Sequence, residues 1–310
     1  MTEAIRHAEA ILRAACGERL RTGVRLAPLT TFRIGGPAAL FLEPEAEADL
    51  TAASEALRAT EVPVVVLGKG SNVLIADNGF PGLVIRLGRA YRWTAREARR
   101  LRAGGAMALP AFAGVALSHG LSGLEFGVAI PGSVGGAVRM NAGAHGSELA
   151  DVLEAVEVFE LRGGASRVLP AEEAGFAYRR SGLPADAVVV AATVELIPAD
   201  PTEIRGRMDH AREWRRRTQP LAESNCGSVF KNPPGAQAGR LIDESGGKGL
   251  SVGGASVSTK HANFIVTTDD ARARDVLELI RTVQELVESR TGIRLEPEVY
   301  LLGHLDPAPL

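Results

Sequence analysis

The chain has 310 residues, 45% of them apolar, and a net charge of −2. That length suits two or three domains with sizeable cores, and the near-neutral balance gives no general electrostatic argument for binding nucleic acid or a membrane surface. Two cysteines, Cys16 and Cys226, are too few for a structural zinc site and show no disulfide framework, so no metal and a reducing compartment are expected.

Residues 3–16 carry Ile5, Ala8, Ile11, Leu12 and Ala15 at helical spacing with charges between them, which predicts an amphipathic helix and not a secretory signal. No window of about 18 apolar residues occurs, so no transmembrane helix is expected and the expected location is cytoplasmic. The first block, 1–88, continues with Thr31-Phe32-Arg33-Ile34-Gly35-Gly36, a strand at Ala39–Leu42 and an alanine-rich helix over 46–58. The apolar run Val62–Leu67 predicts a buried strand that ends abruptly in Gly68-Lys69-Gly70-Ser71-Asn72. A turn at Asp77-Asn78-Gly79 precedes a strand at Leu83–Leu87.

The second block, 89–200, opens on a run of arginines from Arg86 to Arg102 with few aromatics among them, which reads as a solvated face. Leu109–His119 predicts a helix with Pro110 in its first turn. A glycine-dense loop spans Gly120–Gly146, and strands are predicted at 152–161 and 187–196. The third block, 201–293, begins with a helix over 202–217 capped by Thr202. Glycine loops and short strands fill 226–268. A clear amphipathic helix covers 270–290, with Val276, Leu277, Ile280, Val283, Leu286 and Val287 on one stripe. The tail, 294–310, is strand-like around 293–303.

Three stretches carry chemistry. Gly68-Lys69-Gly70-Ser71-Asn72 follows a strand directly, where glycines let backbone N–H groups turn toward an anion and Ser71 and Asn72 add donors. It is neither a Walker A loop nor a G-x-G-x-x-G fingerprint, and an ordinary strand-to-loop turn reads equally well. The stretch 123–146 is rich in glycine and poor in charge, which suits a chain lying flat against an extended ligand. Two such loops suggest one long dinucleotide held at both ends. Finally, Gly227-Ser228-Val229-Phe230-Lys231-Asn232-Pro233 places a hydroxyl, a cation and an amide on a stretch ended by Pro233-Pro234.

These motifs, with Phe176-Ala177-Tyr178-Arg179, Ala238-Gly239-Arg240-Leu241-Ile242-Asp243 and Leu295-Glu296-Pro297-Glu298-Val299, resemble in order the flavin-dependent UDP-N-acetylenolpyruvoylglucosamine reductases. The resemblance covers nearly the whole chain and is closest to the compact type, which lacks a substrate-covering tyrosine loop. It implies an α+β fold: a two-subdomain FAD-binding fold of the vanillyl-alcohol-oxidase (PCMH) type plus a C-terminal α+β substrate-binding domain. The subdomains would be 1–88, joined by the returning strand 294–310, and 89–200, with the UDP-sugar domain at 201–293.

The resemblance further implies FAD as cofactor, NADPH as co-substrate, a UDP-sugar substrate and a role in peptidoglycan precursor synthesis; a monomer is expected. Ser228 matches the family's proton donor, and Arg179 and Glu298 its two other essential groups. Hydride would reach C-3 of the enolpyruvyl double bond, and a proton C-2, with an arginine stabilising the enolate. Lys231 is expected to favour the deprotonated form of Ser228. By physics alone Glu296 suits the carboxylate role as well as Glu298; the motif selects Glu298. Cys226 reads as a small buried residue, having no histidine in a recognisable pairing.

The implied flavin contacts are Arg33, Gly68, Lys69, Gly70, Ser71, Asn72, Ile130, Pro131, Gly132, Ser133, Gly135, Gly136, Asn141, Ala142 and Gly143. Lys231, Asn232, Arg240 and Lys248 suit a UDP diphosphate; His261 reads either as a substrate contact or as a packing residue. The chain departs from the family pattern at Tyr300, where arginine often follows, and at Lys69, where a small residue is common. Competing readings are an alcohol-oxidising flavoprotein of the same fold and a nucleotide-sugar sensor without turnover. The Gly-Ser-Val-Phe-Lys-Asn and Leu-Glu-Pro-Glu-Val runs weigh against the first, and Arg179, Ser228 and Glu298 together against the second.

Overall fold

The structure, a computed structural model, describes residues 2–305, so the end of the predicted tail strand, 306–310, lies outside the described residues. The chain divides into two compact units. The first comprises Met1–Gly23, Ala39–Lys69 and Gly82–Glu213, and the second Val24–Ala38, Gly70–Pro81 and Trp214–Leu310.

The first unit holds two cores. One joins helices α1 (Glu3–Cys16) and α2 (Glu47–Thr60) to a four-stranded sheet in the order Leu20–Arg25, Pro37–Leu42, Phe80–Ile85, Val64–Val66. The apolar stripe of α1 buries Ile5, Ala8, Leu12 and Cys16, and Thr2 Oγ1 caps it by accepting from Ile5 N at 3.3 Å. Leu50, Ala53, Ala56 and Leu57 of α2 pack on the same core. Fully burying a leucine or isoleucine is worth about 1.5–3 kcal/mol, so these stripes, not helix propensity, hold the pair in place. The strand expected to be buried over 62–67 is shorter and half-exposed. Val64–Val66 is the sheet's edge, pairing in parallel with Leu83–Ile85 on one side only.

The second core backs a five-stranded antiparallel sheet in the order Ala165–Pro170, Leu153–Glu160, Ala187–Glu195, Arg100–Gly104, Thr94–Glu97. Helices α3 (Leu109–Ser118), α4 (Val134–Arg139) and α5 (Pro201–Thr218) supply Phe112, Val134, Val138, Ile204 and Met208 to it. Much of the arginine run is a solvated face: Arg99, Arg100 and Arg102 pair with Glu195, Glu154 and Glu157.

Two expectations for this region need correction. Gly120–Gly146 is not one loop, because a 3-10 turn forms at Glu125–Ala129 and α4 follows. Ser133 caps α4, accepting from Gly136 N at 3.2 Å. Thr202 is not the cap of α5, since the helix already begins at Pro201. Asp200 takes that role, with its Oδ1 accepting from Thr202 N at 2.6 Å.

The second unit packs α6 (Ala238–Glu244) and α7 (Ala273–Thr291) on a four-stranded antiparallel sheet in the order Ser224–Asn225, Ile265–Thr267, Ala255–Val257, Ser251–Val252. Its core includes Phe32, Leu74, Phe230, Ile242, Leu277 and Ile280. The stripe on α7 is buried as its periodicity predicts, except that Leu286 is only half-buried. Helix α6 lies where short strands were expected. The tail forms a regular strand only at Tyr300–Leu302, parallel to Val73–Ile75. No helix among the described residues is long and apolar enough to cross a membrane.

Candidate active site

A cleft of about 440 Å³ opens in the first unit beside the edge strand. Gly68, Lys69, Ser133, Gly135 and Gly136 line it, as the sequence suggested. Arg86, Arg92 and Arg139 line it too, and the sequence did not single them out. Arg86 and Arg92 had been absorbed into the arginine run. With Lys69 they make four cations, and among the described residues no carboxylate lines the cleft. Such an imbalance in a chain of net charge −2 suits a doubly charged pyrophosphate.

The walls leave little room for side chains. A Cβ at Gly68 would sit 2.8 Å from Ser133 Oγ, and one at Gly135 would sit 3.1 Å from the Gly105 carbonyl oxygen. In the second glycine stretch, three successive amides already have partners within the protein. Val134 N donates to Met107 O at 2.8 Å, Gly135 N to Gly105 O at 2.9 Å, and Gly136 N to Ser133 Oγ. Two of those amides dock α4 and the third meets its cap, so these three are not turned toward the cleft. The glycines serve close packing, and the residues fit an extended dinucleotide such as FAD.

The other implied flavin contacts are placed elsewhere. Ile130, Pro131, Gly132, Asn141, Ala142 and Gly143 are not among the cleft's lining residues. Asn141 is fully buried, its Oδ1 accepting from Ala150 N at 3.0 Å and its Nδ2 donating to Ala177 O at 3.3 Å. Gly132 O accepts from Leu109 N, and Gly143 begins a two-stranded ribbon with Ser147–Glu148. In the second unit, Arg33 is exposed at φ 61° and donates to Pro28 O at 3.2 Å. Gly70 is packed so closely that a Cβ would lie 2.2 Å from Leu29 O. Ser71 is half-buried. Asn72 Nδ2 donates to Glu298 O at 3.0 Å.

Arg179 lies in the first unit on a tight turn. Ala177 and Arg180 exchange both main-chain hydrogen bonds, at 3.0 and 3.1 Å, leaving Tyr178 and Arg179 at the tip. The Arg179 backbone is left-handed at φ 57°, an uncommon state for a residue with a side chain. Its guanidinium sits 4.9 Å from the centre of the Tyr178 ring. The turn is anchored to α4: Asn141 holds Ala177, and Ser181 N and Oγ both donate to Arg139 O.

Ser228 and Glu298 both belong to the second unit, on segments paired from the residue after Ser228 onward. The chain from Val229 to Lys231 runs antiparallel to Glu296–Glu298: Glu298 N donates to Val229 O at 2.7 Å, Lys231 N to Glu296 O at 2.9 Å, and Phe230 bridges Pro297. Both Ser228 and Glu298 are half-buried. Cys226 is buried among apolar neighbours, as expected, and its thiol is pushed well up, first by burial and then by the Glu298 charge.

The expected help from Lys231 to Ser228 needs correction. The Lys231 ammonium is paired with the exposed carboxylate of Glu296 and not with Ser228. That pair also separates the two carboxylates that physics had left open. Arg240 pairs with Glu244 at 2.7 Å, Lys248 with Asp243 at 2.6 Å, and Asn232 Oδ1 accepts from Ala238 N, the first amide of α6, at 3.0 Å. His261 Nδ1 accepts from Asn263 N at 3.2 Å, and its ring lies edge-on to Phe264. Burial above all lowers its pKa, a main-chain hydrogen bond opposes this, and Lys248 adds to the lowering.

Known proteins share this architecture. Residues 219–302 match the family described as UDP-N-acetylenolpyruvoylglucosamine reductase, C-terminal domain, and residues 38–168 match an FAD binding domain. The chain is 45% identical to UDP-N-acetylenolpyruvoylglucosamine reductase 2 of Symbiobacterium thermophilum, over 92% of this chain and 93% of that one. It is 47% identical to the Heliobacterium modesticaldum reductase, over 88% of each. Among solved structures, UDP-N-acetylenolpyruvylglucosamine reductase from Thermus caldophilus matches with a TM-score of 0.81 and 43% identity, over 92% of this chain and all of that one. Berberine bridge enzyme from Eschscholzia californica matches at 13% identity with a TM-score of 0.50, over 63% of this chain and 44% of that one, a likeness of fold alone.

The fold is therefore the FAD-binding fold of the vanillyl-alcohol-oxidase type joined to a C-terminal α+β domain, and the cofactor is FAD. With this identity running along most of its length, the chain belongs to the UDP-N-acetylenolpyruvoylglucosamine reductase family.

Proposed function

We propose that this protein reduces the enolpyruvyl group of UDP-N-acetylenolpyruvoylglucosamine to the lactyl ether of UDP-N-acetylmuramate, with NADPH as reductant, as a step in cytoplasmic peptidoglycan precursor synthesis. The observation that carries this reading is the backbone pairing of Val229, the residue after Ser228, with Glu298, in a chain of this family. Bound FAD supplies the hydride that adds to C-3 of the double bond. The remaining chemistry is a proton for C-2 and stabilisation of the charge that develops toward the carboxylate.

Ser228 Oγ is the group proposed to deliver the proton. Arg179 is proposed to stabilise the enolate, its planar fork suiting a carboxylate. The strained backbone at Arg179 supports a functional role. Glu298 is proposed to share a hydrogen bond with the enolate region. Lys231, Arg240 and Lys248 are proposed to bind the substrate diphosphate by exchanging their carboxylate partners for phosphate oxygens. Residues 1–88 and 89–200 are read as two subdomains that clasp FAD, and 201–293 as the UDP-sugar domain, in a monomer.

The test is a visible absorption spectrum. A yellow protein bleached by anaerobic NADPH, and re-oxidised by UDP-N-acetylenolpyruvoylglucosamine, supports the reading. A reduced flavin indifferent to that substrate but re-oxidised by oxygen points to an alcohol oxidase of the same fold. A protein that turns over neither substrate points to a nucleotide-sugar sensor.

A further inference from the structure

Ser228 begins a segment whose main chain is fixed from both sides. On one side are Glu296 and Glu298. On the other, among the described residues, no named strand pairs with it, and Asn263 takes that place. Its Oδ1 accepts from Phe230 N at 2.9 Å, and its Nδ2 donates to Phe230 O at 2.8 Å. The main-chain carbonyl of the same residue accepts from Val229 N at 2.9 Å. Asn263 is 4% exposed, and both ends of its amide are matched to groups of fixed polarity, so its orientation is unambiguous. One buried side chain thus reproduces a β-ladder where the sheet has ended.

We propose that Asn263 is a positioning residue for the reaction: its carboxamide holds Phe230 and thereby sets Ser228 against the reacting carbon. The inference rests on the reading of Ser228 as proton donor. A shift of about 1 Å at a reacting group costs on the order of 100-fold in rate, and Ser228 is only two residues from the clamped peptide. Leaving the Phe230 carbonyl and N–H unpaired in a buried site would permit such a shift.

Asn263→Asp tests it in the holoenzyme. The introduced carboxylate, when ionised, still accepts from Phe230 N but faces the Phe230 carbonyl with an oxygen and repels it. Once protonated, its O–H donates to that carbonyl and restores the clamp. The expected result is a kcat about 10- to 100-fold below the parent near pH 9, with KM for the UDP-sugar changed less. As pH falls, the ratio of variant to parent kcat climbs back toward one.

The titratable groups around this site are His261 with Lys248 acting on it, the Lys231–Glu296 pair, Glu298, and the buried Cys226 thiol. All are shared by both proteins, so the ratio cancels their titration. Asn263→Ser, which cannot span both Phe230 groups, is expected to stay low at every pH. It serves as the second variant should the aspartate misfold. Bleaching of the flavin by NADPH is expected to be unaffected in both.

A kcat equal to the parent at pH 9, or a deficit in Asn263→Asp that does not lessen on acidification, overturns the proposal. Ser228→Ala separates the two readings. Parental turnover in that variant sinks the proton-donor assignment together with the clamp. Lost turnover in Ser228→Ala beside an unimpaired Asn263→Asp sinks the clamp alone.

Discussion

The side-chain amide of Asn72 donates to the main-chain carbonyl of Glu298 at 3.0 Å, and Tyr300 N returns a bond to Asn72 O at 3.1 Å. The asparagine that closes the Gly-Lys-Gly-Ser-Asn loop therefore holds the strand that bears the proposed catalytic carboxylate. Losing this bond leaves a half-buried carbonyl without its donor, worth roughly 1–2 kcal/mol. Asn72→Ala is expected to lower kcat about tenfold while flavin content per polypeptide stays at the parent level. Restoration of full activity by excess FAD would show instead that Asn72 acts through flavin binding.

Ser228→Ala is expected to uncouple the half-reactions. NADPH should bleach the flavin band at the parental rate, while formation of the reduced sugar falls on the order of 10²- to 10⁴-fold. Stopped-flow absorbance separates the two steps. Equal loss in both would assign Ser228 a structural role.

Gly70 adopts φ 63°, and a Cβ there would meet Leu29 O at 2.2 Å and Thr30 Cα at 2.8 Å. Both atoms belong to the main chain and cannot swing away, and Gly70 O is itself held by Thr31 N at 2.9 Å. Gly70→Ala is expected to destabilise by roughly 2–4 kcal/mol and to lower the thermal midpoint by about 5–10 °C. Gly146 has φ 84° with open space around it, so Gly146→Ala should lose only the backbone term and serves as the control. Equal losses in the two variants would show that the contact with Leu29 is relieved at little cost.

Asp49 is buried at the start of α2. Burial alone would raise its pKa, but bonds from Glu45 N, Arg19 and Ala46 N outweigh it and hold the carboxyl below its ordinary value. A carboxylate whose folded pKa is depressed adds stability that is complete above the unfolded value of about 3.9 and fades as pH falls through the folded one. Asp49→Asn should therefore cost roughly 1–3 kcal/mol at pH 7, and the gap to the parent should narrow as pH drops below about 4. Urea unfolding between pH 7 and pH 3 measures this. A gap independent of pH would mean that shape, not charge, matters at this position.

Much of the fold was legible because its signals are local. The stripe on α1 and that on α7 need only a 3.6-residue period to declare themselves, and both helices appear within three residues of the expected ends. The strands Leu153–Glu160 and Ala187–Glu195 follow from their β-branched runs. Other features were illegible for equally physical reasons. Helix α4 hid in a glycine stretch because its stability comes from docking: Gly135 packs against Gly105 and Val189, which are distant in sequence. Helix α6 has only seven residues, too few for a periodic signal, and its first amide leans on Asn232.

The site divides in the same way. Sequence alone determined the motif residues, the family and the cofactor, since spacing along the chain records which groups occur together: Ser228 three residues before Lys231, Glu298 two after Glu296, Gly68 at the end of a strand. Tertiary structure alone decided what each group is doing. Lys231 turns to Glu296, Asn141 braces the Arg179 turn, Arg86 and Arg92 leave the solvated run for the cleft, and Asn263 replaces a missing strand. A side chain's partner depends on what a distant segment brings within hydrogen-bonding distance, and burial then demands that every polar group find one. Neither condition is written in the order of residues near it.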